Sequence, residues 1–238
     1  MRYLCMHGAT PAMEAGEPPD EKLLAGLGPL MGEMMQAGIF ESGEGLRPSS
    51  LGVRLTFSGG HRTVTRGPLQ PTNELIDRYL IVSVRSLDEA VDWATRFTGD
   101  GNDAVVDVRP VSEPWDLGFA PKPEGLATTR YMILHKADTR SEAGVRPPSI
   151  ASLTGEMMRE GVFLSAETLE PSSKSVRLRF HGGQRTLLDG PFAETKELIA
   201  GYSILNVPSI HDAVAWSTRF AVLIGNVQID IRPIYPPD

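Results

Sequence analysis

The stretch Asp189-Gly190-Pro191-Phe192-Ala193-Glu194-Thr195-Lys196-Glu197-Leu198-Ile199-Ala200-Gly201-Tyr202 decides the fold, because a worn copy of it lies upstream. That copy reads Arg66-Gly67-Pro68-Leu69-Gln70-Pro71-Thr72-Asn73-Glu74-Leu75-Ile76-Asp77-Arg78-Tyr79. Gly190 and Gly67 stand 123 positions apart, as do Tyr202 and Tyr79. A fixed offset of this kind is the mark of an internal repeat. Working outward, Pro171-Ser172-Ser173 repeats Pro48-Ser49-Ser50, and Trp216 repeats Trp93. Near the start the offset becomes 128, relating Arg130-Tyr131-Met132-Ile133-Leu134-His135 to Arg2-Tyr3-Leu4-Cys5-Met6-His7. The first copy therefore has five extra residues, which fall in the Gly/Pro-containing acidic loop Ala9 to Asp20. Three segments follow: a first domain at 1–113, a linker at 114–128 rich in Pro and Gly, and a second domain at 129–238.

Each copy opens on a short apolar strand, Arg2 to His7 or Arg130 to His135. A helix follows from about Glu21 to Ala37, with Leu23, Leu27, Leu30 and Met34 on one stripe. Its shorter counterpart carries Ile150, Leu153, Met157 and Met158 and ends at Gly161. Ile39 to Leu46 and Val162 to Leu169 are second strands. Val53, Leu55 and Phe57 then alternate with Arg54 and Thr56, as Val176, Leu178 and Phe180 do with Arg177 and Arg179. Gly59-Gly60 and Gly182-Gly183 sit where a tight hairpin needs positive φ. Tyr79 to Val84 and Tyr202 to Val207 are strands, Ser86 and Ser209 open helices, and each copy finishes on an alternating strand containing Asp107 and Arg109 or Asp230 and Arg232.

The order is β-α-β, a hairpin arm, then β-α-β: an α+β, ferredoxin-like βαββαβ unit with an extra arm. Helices cover only one face of such a sheet. Two repeats in one chain are expected to cover each other's bare faces, making an internal pseudo-dimer of the dimeric α/β-barrel type. Any pocket is then expected at the seam between the sheets.

Composition narrows the function. The chain has 238 residues, 41% hydrophobic, with a formal net charge of −7, which gives no cationic surface for nucleic acid or an anionic membrane. The single cysteine, Cys5, excludes an internal disulfide and points to a reducing, cytoplasmic setting. Cys5 reads as core filler. The opening residues read as structure, since they recur at 130–135. No spacing of His, Cys or carboxylates suggests a metal site, and there is no phosphate-binding loop or nucleophile elbow, so neither metal nor cofactor is expected.

The residues Asp189-Gly190-Pro191-Phe192 with Glu194-Thr195-Lys196-Glu197, then Gly201-Tyr202, resemble the signature of the YCII-related (DGPF-type) proteins. Asp230-Ile231-Arg232-Pro233 and Arg130-Tyr131-Met132 are similar to that family too. The first copy has the layout but lacks the Asp, the Phe and the Glu-Thr-Lys. The resemblance implies small α+β domains of the dimeric α/β-barrel class. For a few relatives it implies cofactor-free chemistry on small aromatic or lactone-like molecules, through a His–Asp pair. Here Arg146-Pro147-Pro148-Ser149 holds no histidine, and Trp216-Ser217-Thr218-Arg219-Phe220 holds no aspartate.

Within this frame the candidate base is His135, with Asp189 or Asp230 to orient it. Tyr202 and Arg232 are placed to stabilise developing negative charge. Glu194 and Lys196 are expected at a pocket mouth; His7 and Asp107 are the first copy's counterparts of His135 and Asp230. Two readings stand. One is a cofactor-independent enzyme moving a proton on a small organic molecule. The other is a non-catalytic binding or assembly module, with further self-association left open.

Overall fold

A computed structural model describes residues 1–99 and 103–237. Its first half contains β1 (Arg2–Gly8), α1 (Pro11–Glu14), α2 (Glu21–Gln36), β2 (Phe40–Gly45), β3 (Val53–Ser58), β4 (His61–Arg66), β5 (Ile76–Val84), α3 (Leu87–Thr98) and β6 (Ala104–Pro110). The second half contains β7 (Thr129–Lys136), α4 (Thr139–Glu142), α5 (Ala151–Arg159), β8 (Phe163–Thr168), β9 (Val176–His181), β10 (Gln184–Asp189), β11 (Ile199–Asn206), α6 (Ile210–Ile224) and β12 (Val227–Pro233). The expected alternation, hairpins and helices are all present. Gly59 and Gly60 take φ of 56° and 80°, and Gly182 and Gly183 take 57° and 78°.

The sheets do not follow the two segments of sequence. Sheet I runs β10-β9-β12-β1-β11-β2 and sheet II runs β4-β3-β6-β7-β5-β8, with antiparallel pairing throughout. Each sheet therefore takes two strands, with their helix, from one half and four from the other. The exchange happens after β2 and after β8. There Pro48-Ser49-Ser50 and Pro171-Ser172-Ser173 make short 3-10 turns that carry the chain from one sheet to the other.

The sheets lie face to face, with helices outside both. The seam packs Leu4, Met6, Ile81, Met132, Leu134 and Ile204 among others into one apolar cluster. Tyr79 and Tyr202, equivalent in the repeat, meet there at 5.1 Å between ring centroids. A pocket was expected at this seam; instead alternating strand residues from both sheets fill it. Outside, α2 and α6 cover sheet I, and α3 and α5 cover sheet II.

Two buried arginines tie the sheets together. Arg232 on β12 donates to the carbonyl of Ile76 across the seam at 2.5 Å, to the Glu170 carbonyl and to Glu142. Arg109 on β6 mirrors it, reaching the carbonyls of Ile199 and Arg47 and the carboxylate of Glu14. Glu142 in turn accepts from Ser172 N and Oγ, and Ser172 Oγ accepts from Phe192 N. This chain of bonds locks the signature turn onto the crossover. The Gly67-Pro68 and Gly190-Pro191 bonds are both cis. A Cβ on Gly190 would stand 1.7 Å from the Ser172 carbonyl oxygen, so the close approach itself demands glycine.

Candidate functional site

Most of the polar residues singled out from sequence are internally satisfied. Asp230 is buried and takes a two-pronged bond from Arg177, at 2.6 and 2.8 Å, plus one from Thr195 Oγ1 at 3.0 Å. Arg177 in turn lies 4.2 Å from the Phe192 ring, anchoring the signature turn. Asp107 is bound in the same way by Arg54 and also contacts Lys136 at 2.9 Å. Burial opposes its ionisation, but Lys136 and Arg54 together hold it below the usual carboxylate range. Arg232 is committed to its carbonyls, and Tyr202 packs on Tyr79. Glu194 and Lys196 form an exposed ion pair of 2.9 Å at the surface. Asp189 is exposed at the end of the edge strand β10.

His135 is not brought to Asp189 or Asp230, which belong to the other sheet. Its Nδ1 lies 2.9 Å from Asp77, and its ring meets Phe97 edge-on. The reason is strand parity. On β7, Tyr131, Ile133 and His135 point toward α3, while Met132 and Leu134 point into the seam. On β1, Tyr3 and Cys5 point toward α2 and α6, and His7 with them.

The open space in the molecule follows from this. A cavity of ≈ 260 Å³ lies between sheet I and its helices. Its apolar wall includes Leu27 and Met31 of α2, Phe40, Trp216 and Phe220 of α6, and Leu117, which reaches back from the linker. Its floor is polar: Cys5, His7, Ser203 and Ser217. Among the described residues, His7 Nδ1 and Ser217 Oγ are buried with no partner at good hydrogen-bond geometry, although the Gly8 backbone lies close to the His7 ring and the Cys5 thiol close to Ser217. Burial pushes the His7 imidazole down to about 4, so at neutral pH it is an uncharged ring with an acceptor nitrogen. Burial pushes the Cys5 thiol up to about 11, which keeps it protonated and a poor nucleophile.

The other half shows what was removed to make this space. At the positions equivalent to Cys5, Ser203, Gly201 and Ser217, sheet II and its helix carry Ile133, Leu80, Arg78 and Ala94. Ile133, Leu80 and Ala94 are wholly buried in a continuous core. Arg78 reaches over the Phe97 ring at 5.0 Å. A groove of ≈ 350 Å³, more open to solvent, lies at the equivalent place, lined by Ile150, Thr154, Phe163 and Ala166, but it stops at this core and does not reach the strand residues Ile133 and Leu80 or Ala94 of the helix. On the sheet I side a Cβ on Gly201 would come within 2.7 Å of His7 Nε2. Glycine at this position is what lets the imidazole lie there.

A second difference lies just behind His7. Lys136, which pairs with both Glu74 and Asp107, corresponds to Gly8. Glu74 pairs with both Lys136 and Arg54, and its counterpart Glu197 has thereby lost the first of these cations while Arg177, the equivalent of Arg54, remains nearby. Burial, and the nearby charge of Asp230, raise the pKa of Glu197 above the usual value. Glu197 and His7 share the lining of a small cavity of ≈ 20 Å³, room for one water.

The family comparison bears on the half that contains the intact signature. Residues 129–223 match the model of the YCII-related domain. The matched segment supplies β11 and α6 to the cavity, while β1 and α2 come from outside it. A relative, "Uncharacterized protein R00369" of Rhizobium meliloti (strain 1021), is 37% identical over 46 residues. That match covers 19% of this chain and 37% of the relative's length. No solved structure matches.

Of the sequence-derived candidates, His7 and Tyr202 line this cavity, and Tyr202 also packs into the seam against Tyr79. Ser203, Ser217, Cys5 and Glu197 complete the site and were passed over. The signal that finds them is the set of places where the two copies differ in size and polarity, outside the signature as well as within it.

Proposed function

We propose that the chain is a tandem YCII-type protein with one working site, the cavity under α2 and α6. It binds a small organic molecule with an aromatic or lactone-like ring, and His7 moves a proton on it without a cofactor. The observation that carries this reading is the pair of unpartnered buried polar atoms, His7 Nδ1 and Ser217 Oγ, facing a cavity that the other half fills with core. Unsatisfied buried groups and hollowed cores both cost stability, so their coincidence at one place calls for a ligand.

The chemistry follows from the protonation states. A neutral imidazole accepts a proton from a bound hydroxyl or an acidified carbon. Glu197, whose pKa burial raises, lies behind the ring and is placed to exchange protons with it through the small cavity. Ser203 and Ser217 donate to the oxygen on which charge develops.

The fold supports the same family reading. The strand order β12-β1-β11-β2 follows the split βαβ arrangement of ferredoxin-like units, extended by the β9–β10 arm. Two such sheets face to face correspond to the dimeric α/β-barrel class, here within one chain. The buried reduced thiol of Cys5 suits a cytoplasmic setting.

The test is a panel of phenols and lactones followed by Trp fluorescence and by turnover, in wild type and His7→Gln. Enzyme action requires turnover that His7→Gln abolishes while binding persists. Binding without turnover in either protein leaves a binding module, a reading that the lack of a carboxylate hydrogen-bonded to the ring favours. No binding by any member of the panel refutes both.

A further inference from the structure

The charges around the cavity go further than the reading just given, on which this inference rests. None of the residues lining the space is a lysine or an arginine. The guanidinium groups that touch its lining residues Trp216 and Glu44 are already engaged. Arg219 lies over the Trp216 ring and pairs with Glu33 at 2.7 Å, and Arg130 bridges Glu44 and Glu113. The carboxylate of Glu44 stands on the rim, and that of Glu197 lies on the far side of His7. In the filled half the equivalent volume receives a cation, Arg78, which has Asp77 beside it at 4.0 Å. The position equivalent to Asp77 is Ala200, so the carboxylate that stands beside the cation in the filled half has no counterpart in the hollow one.

We infer that the cavity selects uncharged molecules: a flat ligand of about ten non-hydrogen atoms, bearing a hydroxyl or amide that bonds to the His7 acceptor nitrogen and to the Ser217 hydroxyl, which can donate or accept. A carboxylate of the same shape is excluded. An anion here would exchange its hydration for two orphaned neutral groups and an acidic rim, with no cation to compensate. Size follows from comparison with smaller apolar cavities that hold a single benzene ring. Flatness follows from the walls, where Phe220 and Trp216 present ring faces and edges, and from Arg78, whose planar group stacks on the equivalent of Phe220.

The experiment uses three probes of nearly one shape: 2-naphthol, 2-naphthamide and 2-naphthoate. Each is titrated at pH 7 into the full chain and into Met31→Lys, which places a cation on the α2 wall. Binding is read by Trp fluorescence and by the rise in melting temperature. The naphthol and the amide are expected to bind, the carboxylate about a hundredfold more weakly, and Met31→Lys to raise carboxylate affinity selectively. A carboxylate that binds wild type within tenfold of the amide overturns this inference while leaving the cavity a binding site. Failure of all three probes overturns it together with the proposed function.

Discussion

Refilling the cavity is the sharpest perturbation that the structure offers. Ser203 on β11 faces the space beneath α2, and its counterpart Leu80 is wholly buried in the solid half. Ser203→Leu should place an isobutyl group against Cys5, Met31 and Trp216, where ≈ 260 Å³ stands open. Burying most of a leucine side chain is worth about 1.5–3 kcal/mol. Part of the new side chain stays near the open mouth, and one hydroxyl is lost, so a net gain of about 1–2 kcal/mol is expected. For a chain of this size that corresponds to a melting temperature roughly 3–6 °C higher. Urea unfolding measures the gain, and the naphthol titration measures its cost, which should be loss of binding. A variant both less stable and still able to bind would refute the reasoning: the cavity would then be neither hollowed core nor ligand site.

Three further outcomes follow. Removing the sheet tie with Arg232→Met strands the carbonyls of Ile76 and Glu170 and should cost about 3 kcal/mol in urea unfolding. Gly190→Ala forces a methyl into the Ser172 carbonyl 1.7 Å away, and should cost at least about 3 kcal/mol or abolish soluble folded protein. The pH dependence of stability should reflect His7. An unfolded imidazole takes up its proton near pH 6.5, whereas the folded one does so only at about 4. The unfolded state therefore binds more protons in that window, and stability should fall as pH drops through it, by up to about 3 kcal/mol. His7→Gln should flatten this slope, measured by urea unfolding from pH 4 to 8.

What was legible in the sequence was local. Alternation at Val53–Phe57 and Val176–Phe180, the double glycines of the hairpins and the capping serines each dictate structure within a few residues, and each element formed where expected. The exchange of strands was not legible. β1 is equally apolar whether it pairs with β5 and β6 or with β11 and β12, and nothing in its own residues distinguishes those partners. The placement of the site failed for a related reason. His7 and His135 were assigned to the seam, but a one-residue parity sends them to the helix face, along with Cys5 and Ile133. The arginines of the last strands bridge the halves through backbone carbonyls, and the aspartates pair within their own sheet, a division that alternation along the strand does not reveal.

The exchanged topology also explains why one chain holds both copies. A symmetric dimer of identical subunits has two equivalent helix-side cores, and any residue change that hollows one hollows the other. Each of Ser for Leu at 203, Cys for Ile at 5 and Gly for Arg at 201 removes buried contacts at a cost of about 1–4 kcal/mol. Doubling such losses would consume a large share of the ordinary stability of a folded domain. In a duplicated chain the two cores can diverge. Sheet II keeps Ile133, Leu80, Ala94 and the Lys136–Glu74–Asp107–Arg54 cluster, a core closed on itself. Sheet I gives up the equivalent contacts for a cavity. Because β1 and α2 come from the first half and β11, β12 and α6 from the second, neither half contains the whole cavity. Residues 129–238 alone carry the intact signature yet lack His7, and produced separately they should bind none of the naphthyl probes.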